Sequence, residues 1–190
     1  MTTLPSPVRR VLVTGFGPFG DNMSNPSRVA AAAMAAWASD WVEFEELPVE
    51  YLGVAVWPRR ADPSVFHLHL GLAASAKAVR VETVARNRCG ATQDNAGLVG
   101  SAVIDVQAPE NMRISWNPEP LRARLAELSA EPVELSSDCG DYVCNFTLYT
   151  SLLHAPGRAL FIHLPPMDDD RARRWGRVLA HAMNPSRVTG

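Results

Sequence analysis

The sequence predicts an α/β fold, a single-domain three-layer αβα sandwich around a twisted, mostly parallel sheet. Two observations carry this. Short continuous apolar runs such as Val11-Leu12-Val13 and Leu160-Phe161-Ile162 read as strands buried on both faces. Between such runs lie segments with apolar residues three or four apart, the spacing of helices with one buried stripe. Strand and helix patterns alternate along the chain with no internal repeat and no low-complexity linker, which suits a doubly wound sheet. At 190 residues the chain has the length of one ordinary domain, taken to span residues 1–190.

The elements follow in order. Val11-Leu12-Val13 is the first strand, closed by Gly15 and Gly17. Asn25-Pro26-Ser27 supplies a cap and a first-turn proline for a helix whose alanine-rich body runs from Val29 to Ala38. Val42, Phe44 and Leu47 alternate with Glu43, Glu45 and Glu46, as a half-exposed strand near a sheet edge should. In Leu52 to Pro63, Pro58 and Pro63 leave little room for a full crossover helix. Val65 to Leu72 is a central strand. Ala78 to Val84 is another, with Val79, Val81 and Thr83 on one face and Arg80 and Glu82 on the other. Gly90 to Gly100 is a polar loop long enough to cover a site. Asn117-Pro118-Glu119 opens a helix bearing Leu121, Leu125 and Leu128, and Val133 to Leu135 is a strand. Cys144 to Leu153 is helical, Leu160-Phe161-Ile162 is the last buried strand, and Arg171 to Met183 is a closing amphipathic helix.

Charge and composition narrow the function. A net charge of −2 offers no electrostatic draw toward nucleic acid or an anionic membrane. No apolar stretch reaches the ~20 residues of a spanning helix. Arg9 and Arg10 are followed by too short an apolar run for a signal peptide, so a cytoplasmic protein is expected. Three cysteines, an odd number, argue against a disulfide framework and leave at least one free thiol. The oligomeric state, homo-oligomer or monomer, is left open.

Gly15-Phe16-Gly17-Pro18-Phe19-Gly20 is a literal G-x-G-x-x-G, but its context fails for a dinucleotide. The helix starts only after Asn25-Pro26, so no helix N-terminus meets the pyrophosphate directly, and Asp40 precedes the second strand instead of ending it. A turn presenting Phe16 and Phe19 as pocket walls fits better. His67 and His69, two apart on a strand, share a face at metal-ligand spacing but lack a third ligand, so structural roles are expected and no metal is.

Cys144 stands where a strand gives way to a helix. A thiol at a helix N-terminus feels the positive end of the macrodipole, which favours the thiolate. A buried, inert cysteine is the plainer alternative. His163, after Leu160-Phe161-Ile162 and before Pro165-Pro166, sets an imidazole at the end of a central strand. Together they suit a cysteine nucleophile with a general base. Glu82 is the candidate to orient that imidazole, against the alternative of a solvated edge carboxylate. Cys89 and Cys139 lack comparable settings and read as structural or incidental.

These residues resemble the cysteine-type pyroglutamyl peptidases. The resemblance rests on Val13 to Gly20 with Asn25-Pro26-Ser27; Glu82 to Asn87 with Asp94 to Gly97; Gly140 to Asn145 with Tyr149; and Phe161 to Pro165. The stretch from Tyr149-Thr150-Ser151-Leu152 through Gly157-Arg158 to Pro165-Pro166 is most similar to the eukaryotic-type branch. It implies an open αβα sandwich and a Cys-His-Glu triad falling on Cys144, His163 and Glu82. It further implies a cofactor-free thiol exopeptidase that removes N-terminal pyroglutamate from peptides. Substrate contact would fall on Phe16, Phe19 and Tyr142, the last in place of a phenylalanine seen in many members, and on Asn25, Leu72 and Thr92. Leu72 stands where many bacterial members carry a lactam-binding glutamine. Thr92 stands where they carry an oxyanion-supporting arginine. A thiol acyl-hydrolase of different acyl specificity, or a catalytically silent binding protein, are the alternatives these departures leave.

Overall fold

A computed structural model describes residues 10–20 and 24–183 of the chain; Arg9 of the amino-terminal run lies outside them. The first strand, β1 (Val11–Phe16), sits between β2 (Val42–Leu47) and β3 (Phe66–Leu72), in parallel with both. Beyond β3 come β8 (Ala159–Leu164), β4 (Val79–Glu82) and β7 (Val133–Ser136), giving the order β2-β1-β3-β8-β4-β7. Only the β4–β8 pairing is antiparallel, so the sheet is mostly parallel, as expected.

Alternate residues of the central strands serve two cores. Leu68, Leu70, Leu160 and Ile162 face α1 (Pro26–Trp37), α3 (Glu119–Ser129) and α5 (Asp169–Met183) through Met34, Leu125, Trp175 and Leu179. Ala159 and Phe161 face the opposite layer, α2 (Tyr51–Arg60) and α4 (Val143–His154), through Trp57, Leu148 and Leu152. Asn25 caps α1 through its side chain, accepting from the Ser27 N–H at 3.1 Å, and Pro26 opens the first turn, as the sequence predicts. Gly176 of α5 lies so close to α1 that a Cβ there would sit 2.5 Å from the Ala30 carbonyl oxygen.

Three departures from the sequence reading are informative. The crossover segment is a full helix, α2, with Pro58 inside it. Proline removes only one backbone donor, and burying Trp57 at 1% exposure against the sheet outweighs that loss. The Ala78 to Val84 strand breaks at Thr83, whose N–H and hydroxyl both donate to the Ser136 carbonyl, at 2.7 and 2.8 Å. The chain then continues as β5 (Val84–Arg86), antiparallel to β6 (Asn111–Arg113), a short strand the hydropathy pattern does not announce. Among the described residues, no helix is long and apolar enough to cross a membrane.

Candidate active site

α4 begins at Val143 with extended backbone at Tyr142 and no side-chain cap, so its first N–H groups keep no helical partner. Cys144 is the second residue of this helix, and Val143 and Cys144 both line a cavity of about 220 Å³. Asn145 fixes the helix start. Its amide donates to the Arg86 and Arg88 carbonyls at 2.8 and 2.9 Å and accepts from the Arg86 N–H at 2.8 Å. Beneath the thiol lies Gly71 of β3, where a Cβ would stand 3.2 Å from Cys144 Sγ and 2.6 Å from Phe161 Cζ. A glycine inside a strand signals such a close approach, and the sequence reading passed over it.

His163 belongs to β8 and Glu82 to the end of β4. Glu82 lies opposite Phe161, so it is the diagonal neighbour of His163 on the same sheet face, within side-chain reach. His163 Nδ1 donates to Glu82 Oε1 at 2.8 Å, and the Cys144 thiol is hydrogen-bonded to the same imidazole. Glu82 is 0% exposed and His163 7%. Burial pulls the imidazole down, but the hydrogen bonds and charges of Cys144 and Glu82 outweigh it and push it up to about 9. The raised value favours the protonated ring beside the sulfur, which suits proton delivery by the ring.

The cavity wall is mostly apolar. Phe16, Phe19, Leu72 and Tyr142 line it with Val49, Ala74 and Asn25. Asn25 is committed to the wall itself: its amide donates to the Gly17 carbonyl at 3.0 Å and its oxygen accepts from Ser27. The Phe16 N–H donates to Ser27 Oγ at 3.0 Å, so the glycine-rich turn is held as an aromatic wall rather than opened toward a phosphate. The loop over residues 90–100 is tied to this wall. The Tyr142 hydroxyl donates to the Gln93 carbonyl at 3.0 Å, and Asn95 donates to the Pro18 carbonyl at 2.9 Å. Thr92 stands apart from the other sequence candidates. It is exposed and is not among the described residues lining the cavity.

His67 and His69 are structural, as read from the sequence. His69 is buried between Thr14 Oγ1 at 2.8 Å and Ser151 Oγ at 2.9 Å, and burial holds it well below its usual range. His67 donates to the Asp62 carbonyl, and both rings meet Trp57 edge to face. Cys139, read from the sequence as structural or incidental, lies closer to the site than its local setting suggests. It is buried at 4% exposure, lines the cavity, and lies with Glu82 and His163 in one cluster. Its neighbours Glu82 and His163 come from β4 and β8, both distant from it in sequence, so no local pattern could have revealed this.

Comparison with known proteins gives the site its context. The family model described as pyroglutamyl peptidase matches residues 9–180. The chain belongs to the pyroglutamyl peptidase family. As a member it is a cysteine-type hydrolase. Pyroglutamyl-peptidase 1 of Homo sapiens is similar at 32% identity over 187 residues, covering 93% of this chain and 88% of the relative. A pyrrolidone-carboxylate peptidase of Brevibacillus brevis is similar at 31%, covering 88% and 83%. Among solved structures, a mutant pyrrolidone carboxyl peptidase of the hyperthermophile Pyrococcus furiosus superposes with a TM-score of 0.81 at 25% identity, covering 92% of this chain and 97% of that one. This family's fold is thus the αβα arrangement described above.

Proposed function

We propose that this protein is an omega peptidase that hydrolyses the bond after an N-terminal pyroglutamyl residue, with Cys144 as nucleophile, His163 as acid and base, and Glu82 as the group that orients His163. The observation that carries this is the continuous Cys144–His163–Glu82 hydrogen-bond chain at an apolar cavity. Cys144 sulfur attacks the pyroglutamyl carbonyl carbon, and the oxyanion is met by the unpaired backbone N–H groups at the start of α4. The C–N bond breaks as His163 gives its proton to the leaving amine. Water, losing a proton to His163, then cleaves the thioester and restores Cys144.

The lactam ring is held by Phe16, Phe19, Tyr142 and Leu72, and its polar edges by backbone groups, because Asn25 is already engaged. Each oxyanion donor in such sites is worth about 3 kcal/mol, so lacking an arginine at Thr92 slows the reaction without abolishing it. Leu72 and Ala74 in the wall favour a second reading, a thiol acyl-hydrolase of broader acyl choice. The net charge of −2 supports small neutral peptides as substrates, without nucleic-acid partners.

Hydrolysis of a pyroglutamyl fluorogenic amide tests this beside a panel of other N-acyl amides. Wild type is expected to prefer pyroglutamyl, and Cys144→Ala and His163→Ala to lose at least about 10²-fold in kcat. Turnover that survives Cys144→Ala overturns the mechanism, and preference for another acyl group selects the second reading.

A further inference from the structure

On the cavity wall Asn25, Tyr142, Cys144 and His163 are each already hydrogen-bonded within the protein. Choice between acyl rings therefore falls on the shape of the cavity, and shape discriminates only where the walls are held at a fixed separation. Those walls come from three separate stretches of chain. Phe16 and Phe19 belong to the end of β1 and the turn after it, Val49 to the segment after β2, and Tyr142 to the start of α4. A hairpin over residues 93–99 is bonded to all three. The Tyr142 hydroxyl donates to the Gln93 carbonyl at 3.0 Å, the Asn95 side-chain amide to the Pro18 carbonyl at 2.9 Å, and the Asn95 N–H to the Val49 carbonyl at 3.0 Å.

The hairpin is itself stiff. Asp94, buried at 6% exposure, accepts from the Ala96 and Leu98 N–H groups at 2.9 Å through Oδ1 and from the Tyr51 N–H at 2.8 Å through Oδ2. Its own N–H donates to the Leu98 carbonyl at 2.8 Å, and Gly97 closes the turn at φ 78°, a left-handed conformation open to glycine. We infer that this hairpin is a strap whose two side-chain ties, Tyr142 to Gln93 and Asn95 to Pro18, set the width of the acyl pocket. Tyr142 and Asn95 are thereby the positioning residues that exclude acyl rings larger than a five-membered lactam. The hydroxyl and the amide touch no reacting atom; they act through the walls they hold. A fixed wall rejects one extra ring methylene by about tenfold or more, whereas a wall that yields admits it.

This inference deepens the pyroglutamyl reading and rests on it for the identity of the ring, so binding and turnover are measured separately. Tyr142→Phe keeps the aromatic wall and deletes only the donor; Asn95→Ala deletes the other tie. Each, and the double variant, is made in the parent and in Cys144→Ala. Calorimetry on the Cys144→Ala set gives Kd for a pyroglutamyl amide and for its homologue with a six-membered lactam. Fluorogenic versions of the same pair give kcat/KM for the set that keeps Cys144, and melting curves establish that each variant is folded. Without the tie variants, the five-membered ring is expected to bind and react at least about tenfold better than the six-membered one. Each single variant lowers that preference about fivefold, the equilibrium factor of one neutral hydrogen bond, and the double variant brings it near one. A preference unchanged in both folded single variants overturns the inference, as does an equal weakening of both rings, the mark of a merely structural role. So does the absence of any ring preference in Cys144→Ala itself. Ring-selective binding that depends on both ties, with no hydrolysis by the parent, overturns the hydrolase reading and leaves the strap standing.

Discussion

At His163 two effects oppose each other, and the residue's usefulness depends on which wins. Burial alone would strip the imidazole of its proton, whereas Cys144 and Glu82 together hold the proton on it up to about 9. The proton that must reach the leaving amine is therefore present throughout the neutral range. Glu82→Gln keeps the shape and an acceptor for Nδ1–H but removes the charge. Its kcat is expected to fall by about 10² or less, short of the His163→Ala loss, because imidazole still transfers protons. Losing the carboxylate lowers the imidazole's proton affinity, so the alkaline limb of kcat/KM moves to lower pH. A profile from pH 5 to 10 measures this, and an alkaline limb unmoved by the substitution would remove Glu82 from its assigned role. Cys144 and His163 were legible as residues because one stands at a helix start and the other at the end of an apolar strand run, both local signals. Cys139 was not, since what matters about it is contact with β4 and β8 across the sheet, whereas Gly71 inside its strand signals a close approach without naming Cys144 and Phe161 as what approaches.

Among elements, α1 and α5 share the most extensive contact, and Gly176 shows how closely they approach. A Cβ there would meet the Ala30 carbonyl oxygen at 2.5 Å and Ala33 Cβ at 2.8 Å. Helix propensity argues the other way, since alanine gains about 1 kcal/mol over glycine in a helix interior. Overpacking of a settled interface costs about 1–3 kcal/mol, and here the obstacle is backbone that cannot rotate aside. Gly176→Ala is thus expected to be destabilising by about 1 kcal/mol net or more, read as a lower urea midpoint with unchanged slope. A stabilised variant would show that the two helices separate freely. Most elements were readable because strand and helix periods are local, from Val11-Leu12-Val13 to the α5 stripe. The α2 helix was missed because proline's rule is local while the burial of Trp57 is not. The break at Thr83 escaped for the same reason, its partner Ser136 lying 53 residues away.

For the molecule as a whole, stability against pH is bounded by charged groups on separate layers. Glu131, just beyond α3, accepts from Arg171 of α5 at 2.7 Å through Nη2 and 3.1 Å through Nε, and from the Trp175 indole at 3.0 Å. The Arg171 hydrogen bonds, against the opposing pull of burial, hold its carboxyl below the usual value of 4.5. A depressed carboxylate stabilises the fold fully above its unfolded value and ceases to as pH falls through the folded one. His163 acts in the opposite sense: its contribution is complete below about 6.5 and is lost as pH rises through about 9. Wild type should therefore be most stable between these limits and lose stability below about pH 4.5. With Glu131→Gln, the charge-assisted bonds become neutral ones, and about 1–2 kcal/mol is expected to disappear at pH 7. The same substitution removes a titrating group, so the gap between variant and wild type should narrow as pH falls from 5 to 3. Urea unfolding at pH 7, 5 and 3 measures both. A gap constant across that range would mean that Glu131 holds α3 to α5 by shape alone, with its charge irrelevant.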